Sequence, residues 1–228
     1  MTGRFIEVCC EGCADAVQAW KGGADRIELC ANLDVGGTTP SREEIEKVLA
    51  SCPGLAVNVL VRPRGGDFVF GKEETDTMVR DITMCRELGV NAVVIGALTP
   101  EGDADLPTMR RLMQAAKGDS PFRPLQVTFH RAIDVCRDIF TCMEDAIELG
   151  CDRILTSGHE ASAYEGRFTI AEMVELAGGR IVILAGCGVR TSNILQLEKD
   201  SHAVEFHSTS HGADGRTSAE TVNQLKTL

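Results

Sequence analysis

The 228-residue chain predicts a (β/α)8 TIM barrel, folded as one domain over residues 1–228. Eight short apolar runs recur along it, and between them lie segments with apolar residues at helical spacing. The join between the two is often the same, a glycine ending a helix and then a strand, as in "GGADRIEL", "LGVNAVVIG", "LGCDRILTS" and "GGRIVILAG". Glycine stands there because a helix C-terminus takes a left-handed residue.

In order, the strand candidates fall near 4–10, 24–30, 55–63, 91–98, 124–131, 151–158, 180–187 and 202–208. Between the second and third, "SREEIEKVLASC" opens on Ser41 as an N-cap, with Glu44 three residues on as the partner of a capping box. After the third, "TDTMVRDITMCRELG" repeats apolar residues at helical spacing. Eight such units in about 230 residues fit a closed barrel better than a doubly wound sheet.

All-parallel strands buried on both faces should read as near-continuous Val, Ile and Leu. Several of these alternate instead. The first sets Glu7 and Cys9 against Ile6 and Val8, and the second sets Arg26, Glu28 and Cys30 against Ile27 and Leu29. The third sets Asn58 and Arg62 against Val57, Val59 and Val61; the fifth sets Gln126, Thr128 and His130 against Val127 and Phe129; the eighth sets Glu205 and His207 against Val204 and Phe206. The apolar parity must meet the helices, so the polar parity faces inward and predicts a polar barrel interior. An ion taken out of water costs several kcal/mol unless it is paired. The lining is therefore either a self-neutralising plug or a site.

Composition narrows the function classes. A hydrophobic fraction of 43% supplies one large core, and a net charge of −11 with a pI near 4.9 argues against nucleic acid and anionic membranes as partners. No apolar stretch approaches the roughly 20 residues of a membrane-spanning helix, and "MTGRFIEVCCEG" has no apolar core of a secretion signal. A cytoplasmic protein is expected. Its ten cysteines sit mostly inside apolar patterns and read as thiols in a reducing compartment. Cys10 and Cys13 form one CxxC, but no second CxxC or HxxxH supplies the further ligands of a structural zinc site.

Active sites of this architecture lie at the C-terminal ends of the strands. Cys9 and Cys30 end neighbouring strands on the inward parity, where two soft sulfur ligands would suit Cu(I); the alternative is two small buried hydrophobes. Arg26, Arg62, Arg64 and Arg131 offer guanidinium forks, and Gly186 and Gly188 in "AGCGVRTSN" resemble a phosphate-binding turn before a helix. His130, Glu205 and His207 are acid–base candidates, and Glu7, Glu28 and Asp134 complete the pocket of a possible enzyme. All six lysines fall on helices or helix ends, which disfavours a Schiff-base aldolase.

With these segments assembled, the chain resembles the copper homeostasis protein CutC family. The motifs are "EVC" at 7–9, "GGADRIELC" at 22–30, "GGTTPS" at 36–41, "VRPRGGDF" at 61–68, "VIGALTPEG" at 94–102, "VTFHRAID" at 127–134, "RILTSG" at 153–158, "AGCGV" at 185–189 and "EFH" at 205–207. The resemblance implies a barrel that forms homodimers or higher homo-oligomers and serves copper tolerance or trafficking. It places two proposed Cu(I) ligands on Cys9 and Cys30; Cys10 and Cys13 are thiols beyond the family pattern. Two functions follow as expectations: a Cu(I)-binding protein using Cys9 and Cys30, or an enzyme acting on a small phosphorylated or carboxylated metabolite.

Overall fold

The computed structural model describes residues 4–228. Eight parallel strands, β1 (Phe5–Cys10), β2 (Arg26–Leu29), β3 (Ala56–Leu60), β4 (Ala92–Ile95), β5 (Gln126–Phe129), β6 (Arg153–Thr156), β7 (Val182–Ala185) and β8 (Glu205–Ser208), close in sequence order into a barrel. Every one falls inside its expected segment. Eight helices surround them: α1 (Cys13–Lys21), α2 (Arg42–Ser51), α3 (Lys72–Leu88), α4 (Leu106–Lys117), α5 (Ile139–Glu148), α6 (Arg167–Ala177), α7 (Ile194–Ser201) and α8 (Ala219–Thr227). The six lysines all lie on these helices.

The outward parity makes the main core. Ile6, Val8, Ile27, Leu29, Val57, Val59, Phe129 and Phe206 are fully buried between barrel and helices, each side chain contributing about 1.5–3 kcal/mol of hydrophobic free energy. At the α3–β4 joint Gly89 ends the helix with φ of 76° and donates its N–H to the Cys85 and Arg86 carbonyls, a left-handed close that a β-carbon would strain. Ser41 caps α2 by accepting the Glu44 N–H at 3.2 Å. The Glu44 carboxylate does not complete a capping box. It accepts the N–H of Cys13 instead, tying α2 to the first residue of α1, because that helix start has no side-chain cap of its own.

The interior is polar in part, most densely from β8 through β3, with Thr128 of β5 and Arg153 of β6 adding to it. Glu7, Cys9, Arg26, Glu28, Asn58, Glu205 and His207 point inward from β8 through β3, but the pairing registers turn Leu60, Val94, Leu155 and Leu184 inward from β3, β4, β6 and β7. The expected polar lining is interrupted by this layer of branched apolar side chains. Buried charge is least costly where an opposite charge is within reach, as around Glu7, Arg26 and Glu205, and elsewhere much of the interior reverts to the branched side chains usual in such barrels.

Candidate functional site

The inward polar residues divide by depth. At the N-terminal end of the barrel, Glu7, Arg26, Glu205 and Arg153 form an alternating chain of carboxylates and guanidinium groups. Arg26 Nε donates to Glu7 Oε2 and Arg26 Nη2 donates to Glu205 Oε2 at 2.7 Å, while Arg153 Nε reaches the same Glu205 oxygen at 3.1 Å. Asn58 Nδ2 donates to Glu7 at 3.1 Å, and the Arg26 guanidinium stacks 4.6 Å from the Phe5 ring. Burial would raise the Glu7 carboxyl, but the charge of Arg26 and the hydrogen bond from His207 outweigh it and hold it near 2. Two cations and two anions neutralise one another, so Glu7, Arg26 and Glu205 form the plug. They lie outside the lining of the cavity above.

At the C-terminal ends of the strands a cavity of 630 Å³ opens between Cys9, Glu28, Arg62, Phe68, His130, His207 and the loops after β7 and β8. His207 joins the two levels. Its Nδ1 lies 2.8 Å from Glu7 Oε1, leaving Nε2 for the cavity side. Burial alone would lower its pKa, but the Glu7 hydrogen bond and the charges of Glu28 and Glu7 raise it. One donor atom each from Cys9, Glu28 and His207 lie within 4.8 Å of one another, the one such convergence of three metal-ligating side chains among the described residues.

Register places Glu28, not Cys30, directly opposite Cys9. Cys30 sits one step further up and still brings its sulfur to 3.9 Å from that of Cys9. Cys30 is 1% exposed, packs with Leu60, Val94 and Leu33, and lies behind the cavity wall rather than on it. The hydrogen bond with Cys30, then burial, raises the Cys9 thiol well above its ordinary value. Burial pushes the Glu28 carboxyl up to about 7. Its Oε2 is buried without a hydrogen-bond partner: Arg26 turns Nε to Glu7 and Nη2 to Glu205, and its buried Nη1 is likewise unpaired.

On the facing wall Arg62 spends its terminal nitrogens on carbonyls of the two adjoining loops, at 3.1 Å to Gly36, 3.2 Å to Gly37 and 2.6 Å to Gly66. Its Nε has no partner. His130 accepts the Ala132 N–H on Nδ1 at 3.2 Å, which sets the ring proton on Nε2, and that atom is also buried and unpaired. Burial first, then the Arg62 charge, lowers the His130 pKa to about 3, so the ring is a neutral donor rather than a general acid. Phe68 stacks on both, 4.8 Å from the His130 ring and 4.6 Å from the Arg62 guanidinium.

The remaining candidates scatter. Arg131 and Gly188 line the cavity. Asp134 does not: it accepts from Thr156 Oγ1 at 2.6 Å and from the Ser157 N–H, and pairs with Arg131 at 2.8 Å, bracing the loop after β6. Arg64 points away, its guanidinium used by Glu74, Asp67 and the Val69 carbonyl. Gly186 provides room rather than an anion contact, because a β-carbon there would come within 2.4 Å of Leu155 Cδ1 and 3.1 Å of His207 Cβ. Cys10 and Cys13 lie outside the barrel wall, bonded to the Val8 and Lys47 carbonyls. Sequence reasoning missed Arg153, Phe68 and Ser210. Arg153 shares the inward parity of β6, a signal the "RILT" run carried; Ser210, at the cavity edge with φ of 52° and its Oγ unpaired, had none.

The sequence profile of the CutC family matches residues 4–212. A CutC family protein of Parabacteroides distasonis is 52% identical over 204 residues, 90% of this chain and 82% of the relative. Another, from Bacteroides fragilis, is 47% identical over 207 residues, 91% of this chain and 80% of its own. The crystal structure of CutC from Streptococcus agalactiae, a protein proposed to serve copper homeostasis, matches with a TM-score of 0.84 at 33% identity, over 90% of this chain and 98% of that one.

Proposed function

Because this chain belongs to the CutC family, we propose that it is a copper homeostasis protein that binds Cu(I) between Cys9 and Cys30. The carrying observation is the 3.9 Å between their sulfurs, brought from adjacent strands into a nearly dry wall. Two metal–sulfur bonds of about 2.3 Å span a little over 4 Å, so small side-chain rotations admit an ion. Soft donors and a low-dielectric pocket favour a monovalent soft cation over hard ions. Copper is the cargo in this reading, bound as its entry displaces the thiol protons that burial otherwise retains.

The protein would work in the cytosol, where a reducing pool suits ten free cysteines; among the described residues no helix is long and apolar enough to cross a membrane. A homo-oligomer belongs to the same reading, with Phe168, Leu176 and Leu195 exposed on α6 and α7 as apolar contact residues. The test is anaerobic Cu(I) titration against a competing chelator. One Cu(I) per chain is expected, lost in the Cys9→Ser, Cys30→Ser double variant. Uptake by that variant at the parent affinity would overturn the site.

A second reading, an enzyme or receptor for a small anionic metabolite, is favoured by the unpaired donors Arg62 Nε and His130 Nε2. Leaving two buried donors unsatisfied costs about 1–3 kcal/mol each, which a ligand oxygen would recover. Ligand at 100 times its Kd adds about 2.7 kcal/mol of stability. A panel of small carboxylates and phosphate esters is expected to include one that raises Tm in the parent and not in Arg62→Ala; no shift from any would remove this reading.

A further inference from the structure

We infer that Cys9, Glu28 and His207 form a second metal site, an open three-ligand centre for a borderline divalent ion such as Zn2+, distinct from the Cys9–Cys30 pair. The inference shares Cys9 with the copper reading but does not rest on Cys30. Its ligand atoms lie within 4.8 Å of one another, against roughly 3.3–3.7 Å between the corners of a tetrahedron built from bonds of about 2.0–2.3 Å. Turning the Glu28 carboxylate, which no hydrogen bond holds at Oε2, is the movement that closes the set.

Two features point to an ion rather than to a chance cluster. Glu28 is 6% exposed and its Oε2 is buried with no hydrogen-bond partner, Arg26 giving Nε to Glu7 and Nη2 to Glu205 and no nitrogen to Glu28. A cation is the missing partner. His207 is prepared as a ligand: its Nδ1 faces Glu7 Oε1 at 2.8 Å, and Glu7 is fixed in turn by Arg26 and Asn58. A carboxylate on the far nitrogen fixes the tautomer and orients the ring towards a metal, as in the carboxylate–histidine–zinc arrangement. The plug below the cavity thereby becomes the outer support of the site above it.

The donor set selects the ion. One thiolate, one imidazole and one carboxylate suit Zn2+ and its borderline neighbours; Mg2+ and Ca2+ would want oxygen throughout, and Cu(I) has the two sulfurs beside it. All three ligands line the 630 Å³ cavity, so the fourth position faces it. Three protein ligands with an open fourth place are the pattern of catalytic rather than structural zinc, and a water or a ligand oxygen would complete it, across from Arg62 and His130.

Co2+ and Zn2+ titrations of the full chain under anaerobic conditions test this. Co2+ alone is the optical probe, with thiolate charge-transfer and tetrahedral ligand-field bands expected at one ion per chain, displaced by Zn2+. Glu28→Gln, nearly isosteric, and His207→Gln should each weaken Co2+ binding at least tenfold, and Cys9→Ser should abolish the charge-transfer band. Cys30→Ser should keep the Co2+ spectrum while losing Cu(I), which separates failure of this site from failure of the copper reading. Absence of a tetrahedral Co2+ spectrum in the parent would overturn the inference. So would Co2+ affinity within twofold of the parent in Glu28→Gln, or loss of the spectrum in Cys30→Ser.

Discussion

Replacing Glu7 by alanine tests whether the buried ion chain holds the barrel together. Glu7 is fully buried and accepts from Arg26 and Asn58 while holding His207. Its loss leaves Arg26 and Arg153 sharing the single carboxylate of Glu205, two cations to one anion. Breaking a buried pair by removing one partner costs about 3–5 kcal/mol because the other charge stays behind, a large share of the roughly 5–15 kcal/mol that holds a domain folded. Arg26 keeps one partner at 2.7 Å, so the lower half of that range is expected. With an m-value of about 2 kcal/mol/M in urea, the midpoint followed by circular dichroism should fall by roughly 1.5–2 M. Glu7→Gln, which still accepts from Arg26 and Asn58, should lose about half as much. A midpoint within ~0.5 M of the parent for Glu7→Ala would refute the reasoning, since it would mean that Arg26 is as well off without its carboxylate.

Other expectations follow from single contacts. His130 folds neutral, with its pKa lowered to about 3 from 6.5, so the unfolded chain takes up its proton first; this contribution is complete above pH 6.5 and is lost as pH falls towards 3, on the order of 5 kcal/mol in all. The stability difference between the parent and His130→Gln should therefore shift against the parent over that window, and pH curves that run parallel would contradict it. Gly186→Ala would press a methyl against Leu155 and His207; overpacking of this kind costs about 1–3 kcal/mol, and the variant should also weaken Co2+ binding through the displaced imidazole. Ser41→Ala removes the cap on the Glu44 N–H and should cost about 1 kcal/mol by urea denaturation, with Cu(I) binding unchanged.

The barrel was legible in the sequence because its evidence is local. A strand alternates every residue and a helix repeats every 3.6, so eight segments, their order and their inward parities follow from neighbours a few residues apart. Glu7, Arg26, Glu28, His130 and His207 could be placed inside the barrel on that ground alone, and the six lysines outside it. Parity does not carry depth. Glu205 and His207 share β8 and face the same way, yet one belongs to the plug and the other lines the cavity, because two residues along a strand are about 7 Å along the barrel. Nor does parity carry partners. Glu7 meets His207 across 200 positions, Arg26 meets Glu205 across 179, and Arg153 reaches that same carboxylate from another strand. Only closure and register bring these together. They set Glu28 rather than Cys30 opposite Cys9, spent Arg64 on its own loop and Asp134 on the loop after β6, and left Arg62 Nε, His130 Nε2 and Glu28 Oε2 without partners. The sequence by itself determined which residues enter the barrel, since that is a matter of period; the tertiary structure decided which are neutralised and which are left to meet a ligand, since pairing depends on distance between residues far apart in the chain.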